Sequence, residues 1–142
     1  MVMRYELLER ITADVGIRAF GRTPEELFAN AGYALFDLLV ENLEEVKAEG
    51  EVEVKVEVNA EEWEDLLAGW LRELLYWYDV KKWAFCEFEV DLRPRRLSAR
   101  CKGEAFDPER HIPGIEIKAV TYHNLSVRRT SDGWRAEVVF DV

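Results

Sequence analysis

Apolar residues recur along this chain with two periods, and the switches between them divide it into strand-like and helix-like stretches. From about Tyr5 to Arg18 the chain reads as extended, with Val15, Ile17 and Ala19 alternating with Gly16 and Arg18. Thr23-Pro24-Glu25-Glu26 then starts a helix: Thr23 can cap, Pro24 suits the first helical position, and Glu26 completes a capping box. The stretch to about Val40 sets Leu27, Ala31, Leu35 and Leu38 on one face. Phe28, Ala34, Phe36 and Leu39 widen that face, which predicts a well-buried helix. Glu51 to Val58 alternates without a break, with Val52, Val54, Val56 and Val58 on one side and Glu51, Glu53, Lys55 and Glu57 on the other. Such a pattern belongs to a half-buried strand in a sheet with one wet face. Asn59 followed by Glu62 repeats the capping logic for a second helix, whose stripe runs from Trp63 through Leu67, Trp70 and Leu74 to Tyr78.

The second half reads as strands. Cys86, Phe88, Val90 and Leu92 face inward, and Glu87, Glu89 and Asp91 outward; after a turn at Pro94, Leu97, Ala99 and Cys101 face inward and Arg100 and Lys102 outward. Pairing Leu92 with Leu97 sets Glu89 opposite Arg100 and Glu87 opposite Lys102, and opposite charges across a ladder support that register by about a few tenths of a kcal/mol each. A last hairpin turns at Asp132-Gly133, and its second arm carries Trp134, Ala136, Val138 and Phe140 on one side. The expected assembly is α+β: a largely antiparallel β-sheet with two α-helices packed on one face. No repeat, low-complexity tract or linker divides the 142 residues, so residues 1–142 are expected to form one domain.

Composition narrows the functional classes. The chain is 49% hydrophobic and 34% charged, which excludes disorder, and no apolar run approaches the roughly 20 residues that span a bilayer. Arg4, Glu6 and Glu9 interrupt the apolar residues near the start, so no signal peptide is expected and the default location is cytoplasmic. The net charge of −10 disfavours direct tight binding to nucleic acid, because such affinity depends on Lys and Arg displacing counterions. The run Arg93, Arg95, Arg96 is the one candidate basic patch; its alternative is a solvated turn. Cys86 and Cys101 have neither CxxC spacing nor neighbouring histidines, and both fall on inward positions, so buried free thiols are expected. Glutamine is absent while Glu, Lys and Arg abound, a composition that points toward a thermophilic source.

The strong catalytic motifs are missing: there is no P-loop, no GxGxxG, no HExxH, no zinc spacing and no GxSxG. Asp14 interrupts an apolar strand, Thr12-Ala13-Asp14-Val15-Gly16-Ile17. The ending Val139-Phe140-Asp141-Val142 carries strand-forming residues to its last position, with a terminal carboxylate beside Asp141. If the first and last strands are neighbours, Asp14, Asp141 and the Val142 carboxylate converge into a set of oxygen ligands suited to a hard cation such as Ca²⁺. The alternative is a pair of solvated strand-end aspartates, and spacing admits both. A third stretch, Glu116-Ile117-Lys118-Ala119-Val120-Thr121-Tyr122-His123, reads as a strand after Pro113-Gly114. Taken alone, Lys118 reads as a surface lysine and His123 as half-buried and hydrogen-bonded.

These residues together resemble the archease family over the whole length of the chain. The likeness rests on Thr12-Ala13-Asp14-Val15-Gly16-Ile17, Glu25-Glu26-Leu27-Phe28 with Ala34-Leu35-Phe36, Gly103-Glu104 with Asp107 and His111, the run from Lys118 to His123, and the closing Asp141-Val142. One position departs: the family has a histidine just before Thr-Ala-Asp, where this chain has Ile11, so that residue's role does not carry over. The resemblance implies an activator, not itself an enzyme, of the RtcB-type RNA ligase that joins tRNA halves after intron removal. Such an activator promotes guanylylation of the ligase and multiple turnover, and broadens its nucleotide use. The resemblance further implies a calcium or similar divalent-cation site on Asp14, Asp141 and the Val142 carboxylate. Lys118 matches a position tied to ligase activation, and His123 closes the same run. Two other readings stay open: a chaperone-like partner of a tRNA methyltransferase, and a small carboxylate-metal hydrolase using Asp14, Asp141 and His123.

Overall fold

In a computed structural model describing residues 3–8, 14–59 and 61–142, the alternating stretches form strands and the 3.6-residue stretches form two helices. In chain order these are β1 (Tyr5–Leu8), β2 (Val15–Gly21), α1 (Pro24–Leu39), a 3₁₀ turn (Leu43–Glu45), β3 (Gly50–Glu57), α2 (Trp63–Asp79), β4 (Trp83–Arg93), β5 (Arg96–Ala105), β6 (Ala119–Val120), β7 (Ser126–Thr130) and β8 (Gly133–Asp141). The class is α+β with antiparallel pairing throughout, as the patterns predict. The strands divide into two sheets where a single one was expected: β1-β2-β8-β6, with β7 also on β8, and β3-β5-β4. Both helices pack against strands of both sheets, and one continuous core draws on all of these elements.

Local chemistry accounts for most of the element boundaries. Thr23 Oγ accepts the Glu26 N–H at 3.1 Å, and Pro24 occupies the first turn. Glu26 reaches back one residue further than a standard capping box, accepting from the Arg22 N–H at 3.2 Å. At the other end of α1, the Leu38 and Leu39 carbonyls, which have no partner within the helix, accept from the N–H groups of Ile115 and Gly114, both at 2.8 Å. The start of α2 departs from expectation. Asn59 does not cap it; the helix begins at Trp63 with Glu62 at the cap position and no side-chain cap bond. The Val58 N–H is still bonded to the Arg95 carbonyl, so the chain leaves the sheet only there and needs the next residues to cross to the helical layer. Glu64 and Asp65 in the first turn then complement the helix dipole.

Four further boundaries differ from the sequence reading. The extended stretch from Tyr5 to Arg18 is two strands, paired from Tyr5↔Ala19 to Leu8↔Gly16, so the chain reverses between them. The strand expected over Glu116 to His123 is only Ala119–Val120; Gly114 and Ile115, just ahead of that stretch, cap α1. The final hairpin closes at Thr130↔Gly133, one residue earlier than expected; Gly133, at φ 140°, opens β8 rather than occupying the turn. A bulge between Phe85 and Glu87 makes Ala84 and Phe85 both buried and leaves Cys86 only half-buried. Beyond that bulge, the β4–β5 register is the expected one: Leu92↔Leu97, Glu89↔Arg100 and Glu87↔Lys102. Arg100 and Glu89 form an ion pair across it.

The core is held by aromatic packing and by polar ties between the helices, among them the Tyr78 hydroxyl to the Leu39 carbonyl at 3.2 Å. Phe36 meets Phe85 edge-on at 5.5 Å and Tyr78 at 6.0 Å. Trp70, fully buried, donates its indole N–H to the Phe28 carbonyl at 2.9 Å, bringing the middle of α2 onto the first turns of α1. The bulge in β4 makes its own demand on β5, since a Cβ on Gly103 would lie 1.9 Å from the Ala84 carbonyl oxygen. Gly103→Ala should therefore lower stability by about 2–3 kcal/mol, because backbone and not a flexible side chain must move. A denaturation midpoint equal to that of the wild type would show that the bulge absorbs the methyl group.

Candidate functional site

The site is built around the last strand, which lies inside its sheet with β2 on one side and β6 and β7 on the other. On the β2 side the ladder runs from Gly21↔Trp134 to Val15↔Phe140, so Asp14 lies just beyond its last pair, at the end of the sheet where Asp141 follows Phe140. On the β6 side Ala119 pairs with Asp141, and the Lys118 N–H donates to the Asp141 carbonyl at 2.7 Å. Asp14, Lys118, Asp141 and Val142 thus meet at one end of the five-stranded sheet. Asp14 is half-buried, while Asp141 and Lys118 are exposed. The Val142 side chain packs against the core, which anchors the end of the strand.

A row of charges pins the register that brings these residues to one end. Arg18 on β2 bonds Glu6 on β1 at 2.9 Å and Glu137 on β8 at 3.1 Å. A slip of one residue would break this row and turn every side chain of the strand to the other face. Ile11, Thr12 and Ala13, the residues leading into Asp14, lie outside the described residues.

His123 is not drawn into this cluster. Beyond Val120 the Thr121 N–H and hydroxyl both bond the Val139 carbonyl, at 3.1 and 2.9 Å, and the chain then turns through Tyr122, His123 and Asn124. Val139 is two residues from Asp141, about 7 Å along a strand, and His123 follows beyond that level. Its ring is exposed, not half-buried as expected, and its N–H is bonded to the Thr121 hydroxyl at 3.2 Å. The expected strand breaks here because β6 and β7 pair with the same edge of β8 in registers three residues apart, and the excess forms the turn.

Two groupings were not anticipated from the pattern. The polar face of α2, which reads as solvated, holds the stretch after β6: Arg72 donates to the Val120 carbonyl at 3.3 Å and lies 4.8 Å from the centre of the Tyr122 ring. The Tyr122 hydroxyl bonds Asp65 at 3.2 Å. The second grouping centres on His111, a buried imidazole. Its Nδ1 accepts the Asp107 N–H at 2.8 Å, which leaves Nε2 to carry the proton toward Glu104 at 3.1 Å. Glu104 also accepts from the Lys47 N–H at 2.7 Å and pairs with Arg110, which in turn bonds Asp107 at 3.2 Å. Burial alone would raise the Glu104 carboxyl, but the donors from Lys47, Arg110 and His111 outweigh it and hold the group below its ordinary value. The carboxylates of Glu104 and Asp107 and both ring nitrogens of His111 are hydrogen-bonded, so the cluster reads as a clasp closing the loop before β6.

The remaining candidates are quiet. Burial pushes the Cys101 thiol up to about 12, and burial with neighbouring carboxylates raises Cys86, so both free thiols are poor nucleophiles. Arg93, Arg95 and Arg96 each face a carboxylate, on Asp91, Glu61 and Glu57, which cancels the one basic run. Among the described residues, no helix is long and apolar enough to cross a membrane.

Comparison with known proteins assigns this arrangement to a class. Residues 5–142 match the Archease protein family. The archease of Pyrococcus furiosus is 43% identical over 136 residues, covering 92% of this chain and 94% of that protein. The archease of Methanosarcina mazei is 40% identical over 144 residues, covering 98% and 96%. Protein 1598 of Methanobacterium thermoautotrophicum superposes with a TM-score of 0.75 at 29% identity, over 98% of this chain and 99% of that one. An archease of Thermotoga maritima, described as a possible chaperone, gives a TM-score of 0.52 at 26% identity, over 96% of this chain and 98% of that one. The chain belongs to the archease family.

The Glu104 clasp has a pH signature. A carboxyl held below its ordinary value of 4.5 in the folded state contributes stability above that pH and loses it as the pH falls through the lowered value. Glu104→Gln should therefore be less stable than the wild type near neutrality, and the gap should narrow on acidification below 4.5. Denaturation midpoints measured across that range would check it; a gap independent of pH would mean that the carboxylate charge contributes nothing.

Proposed function

We propose that this archease is an accessory protein of an RtcB-type RNA ligase, promoting guanylylation of the ligase and its repeated turnover, and widening its nucleotide use, without running a reaction of its own. The observation that carries this reading is the convergence of Asp14, Asp141, Val142 and Lys118 on one end of β8. Two aspartates and a main-chain carboxylate are hard oxygen donors of the kind that calcium takes. Among the described residues no group of three or more His, Cys, Asp or Glu side chains is arranged to hold a metal, so the set needs its main-chain member. When bound, a divalent cation would offset the mutual repulsion of the carboxylates and stiffen the strand end. Lys118, exposed beside them, offers a compact positive charge to a phosphate or carboxylate of the partner. His123, exposed on the turn beyond, would meet the partner rather than the cation. Its separation from the aspartates weighs against a hydrolase built from Asp14, Asp141 and His123. The net charge of −10 and the paired arginines favour a protein over tRNA as the immediate partner.

Ligand bound only to the folded state stabilises it by about 2.7 kcal/mol at about a hundredfold excess over the dissociation constant. Calcium should accordingly raise the melting temperature of the wild type and leave that of Asp14→Asn unmoved. Equal shifts in both proteins would remove Asp14 from the site.

Ligase guanylylation measured with and without this protein tests the function itself. Lys118→Ala should preserve the fold, because Ile117 and Val120 anchor the segment in the core, and should lower stimulated guanylylation by about tenfold, roughly 1.4 kcal/mol. Full stimulation by the folded variant would exclude Lys118 from the mechanism. Absence of stimulation by the wild type, with co-purification of a methyltransferase, would favour the chaperone reading.

A further inference from the structure

The stretch that carries Lys118 has little regular structure of its own. Only Ala119 and Val120 belong to a ladder, too short a strand to hold a neighbouring side chain in place unaided. Toward β8 it is tied by the Lys118 N–H to the Asp141 carbonyl and by Thr121 to the Val139 carbonyl. Toward α2 the polar contacts to Val120 and Tyr122 centre on Arg72, an exposed residue. Arg72 donates to the Val120 carbonyl and stacks over Tyr122, whose hydroxyl is fastened to Asp65 about two turns earlier on the same helix. Glu64 adds a bond to the Val127 N–H at 2.8 Å on the far side of the turn. The segment is therefore gripped on both edges, and its buried side chains, Ile117 and Val120, flank the outward-facing Lys118.

We propose that Arg72 is a positioning residue for Lys118, an inference that rests on the accessory-protein reading above. A guanidinium can bond a carbonyl in its plane while its face stacks on an aromatic ring, so one side chain engages both the strand and the turn. An ammonium keeps the charge and can donate to the carbonyl, but it has no planar face to stack on the ring. The role is thus specific to arginine, and it acts at one remove from the partner: Arg72 sets where Lys118 stands relative to Asp141 and the end of the chain.

The test combines amide hydrogen exchange with guanylylation, using the intact protein and Arg72→Ala, Arg72→Lys, Lys118→Ala and the Arg72→Ala/Lys118→Ala double variant. Losing one hydrogen bond and one exposed cation–π contact should speed exchange of the Lys118 and Thr121 amides by about fivefold to tenfold, while amides in the middle of α2 stay as protected as before. Maximal stimulation of the ligase should fall in Arg72→Ala without a change in the concentration giving half the effect, and Arg72→Lys should not restore it. In the Lys118→Ala background, Arg72→Ala should cost nothing further, because the two act as one unit. Unchanged Lys118 exchange would overturn the proposal, as would rescue by lysine or a loss that adds in full to that of Lys118→Ala. If Lys118→Ala alone stimulates normally, the functional reading of Lys118 fails, and the exchange data by themselves then decide whether Arg72 holds the segment.

Discussion

The backbone pairing of β8 on both of its edges is the constraint on which the rest of this structure depends. Chain termini ordinarily fray, because nothing follows to hold them. Here the last strand is an interior one: β2 bonds it along seven residues, and β6 with β7 occupy the opposite edge. Its inward residues, Ala136, Val138 and Phe140, are fully buried, so opening this end would expose core as well as break two ladders. That arrangement holds Asp141 in a ladder and Val142 against the core.

Everything near the site is arranged around that strand. The Glu6–Arg18–Glu137 row sets its register against β1 and β2. The loop before β6 is closed by the Glu104–Arg110–His111 clasp and then caps α1 through Gly114 and Ile115, which delivers Lys118 to the side of Asp141 already constrained. The polar face of α2 completes the grip from above. Apolar burial supplies the bulk of the stability, and polar contacts decide where the short, poorly paired segments lie.

The electrostatic pattern separates surface from site. The wet face of the three-stranded sheet alternates sign across strands, with Arg100 between Glu53 and Glu89 and Lys102 between Glu51 and Glu87. Such a lattice is self-satisfied and offers little to a highly charged ligand. At the end of β8, by contrast, Asp141 and Lys118 are both exposed and Asp14 is half-buried.

The alternation of valine with charged residues in β3, the wide apolar face of α1 and the charge-matched register of β4 with β5 were legible in the sequence, because each depends on neighbours a few residues away. The archease likeness was legible too, through the run from Lys118 to His123 and the closing Asp141-Val142. Where local signals failed, a distant contact had won. Asn59 lost its cap role because Val58 remains bonded to the β4–β5 turn, and the strand expected from Glu116 to His123 was cut short because β6 and β7 pair with β8 in registers three residues apart. Division of the strands into two sheets, the exposure of His123 and the grip of Arg72 leave no trace in periodicity, since each arises from elements tens of residues apart. Spacing alone left Asp14 and Asp141 as either ligands or solvated strand ends. That they lie near each other was decided by the tertiary structure, because only the pairing of the second strand with the last one brings residues 14 and 141 to the same end of a sheet.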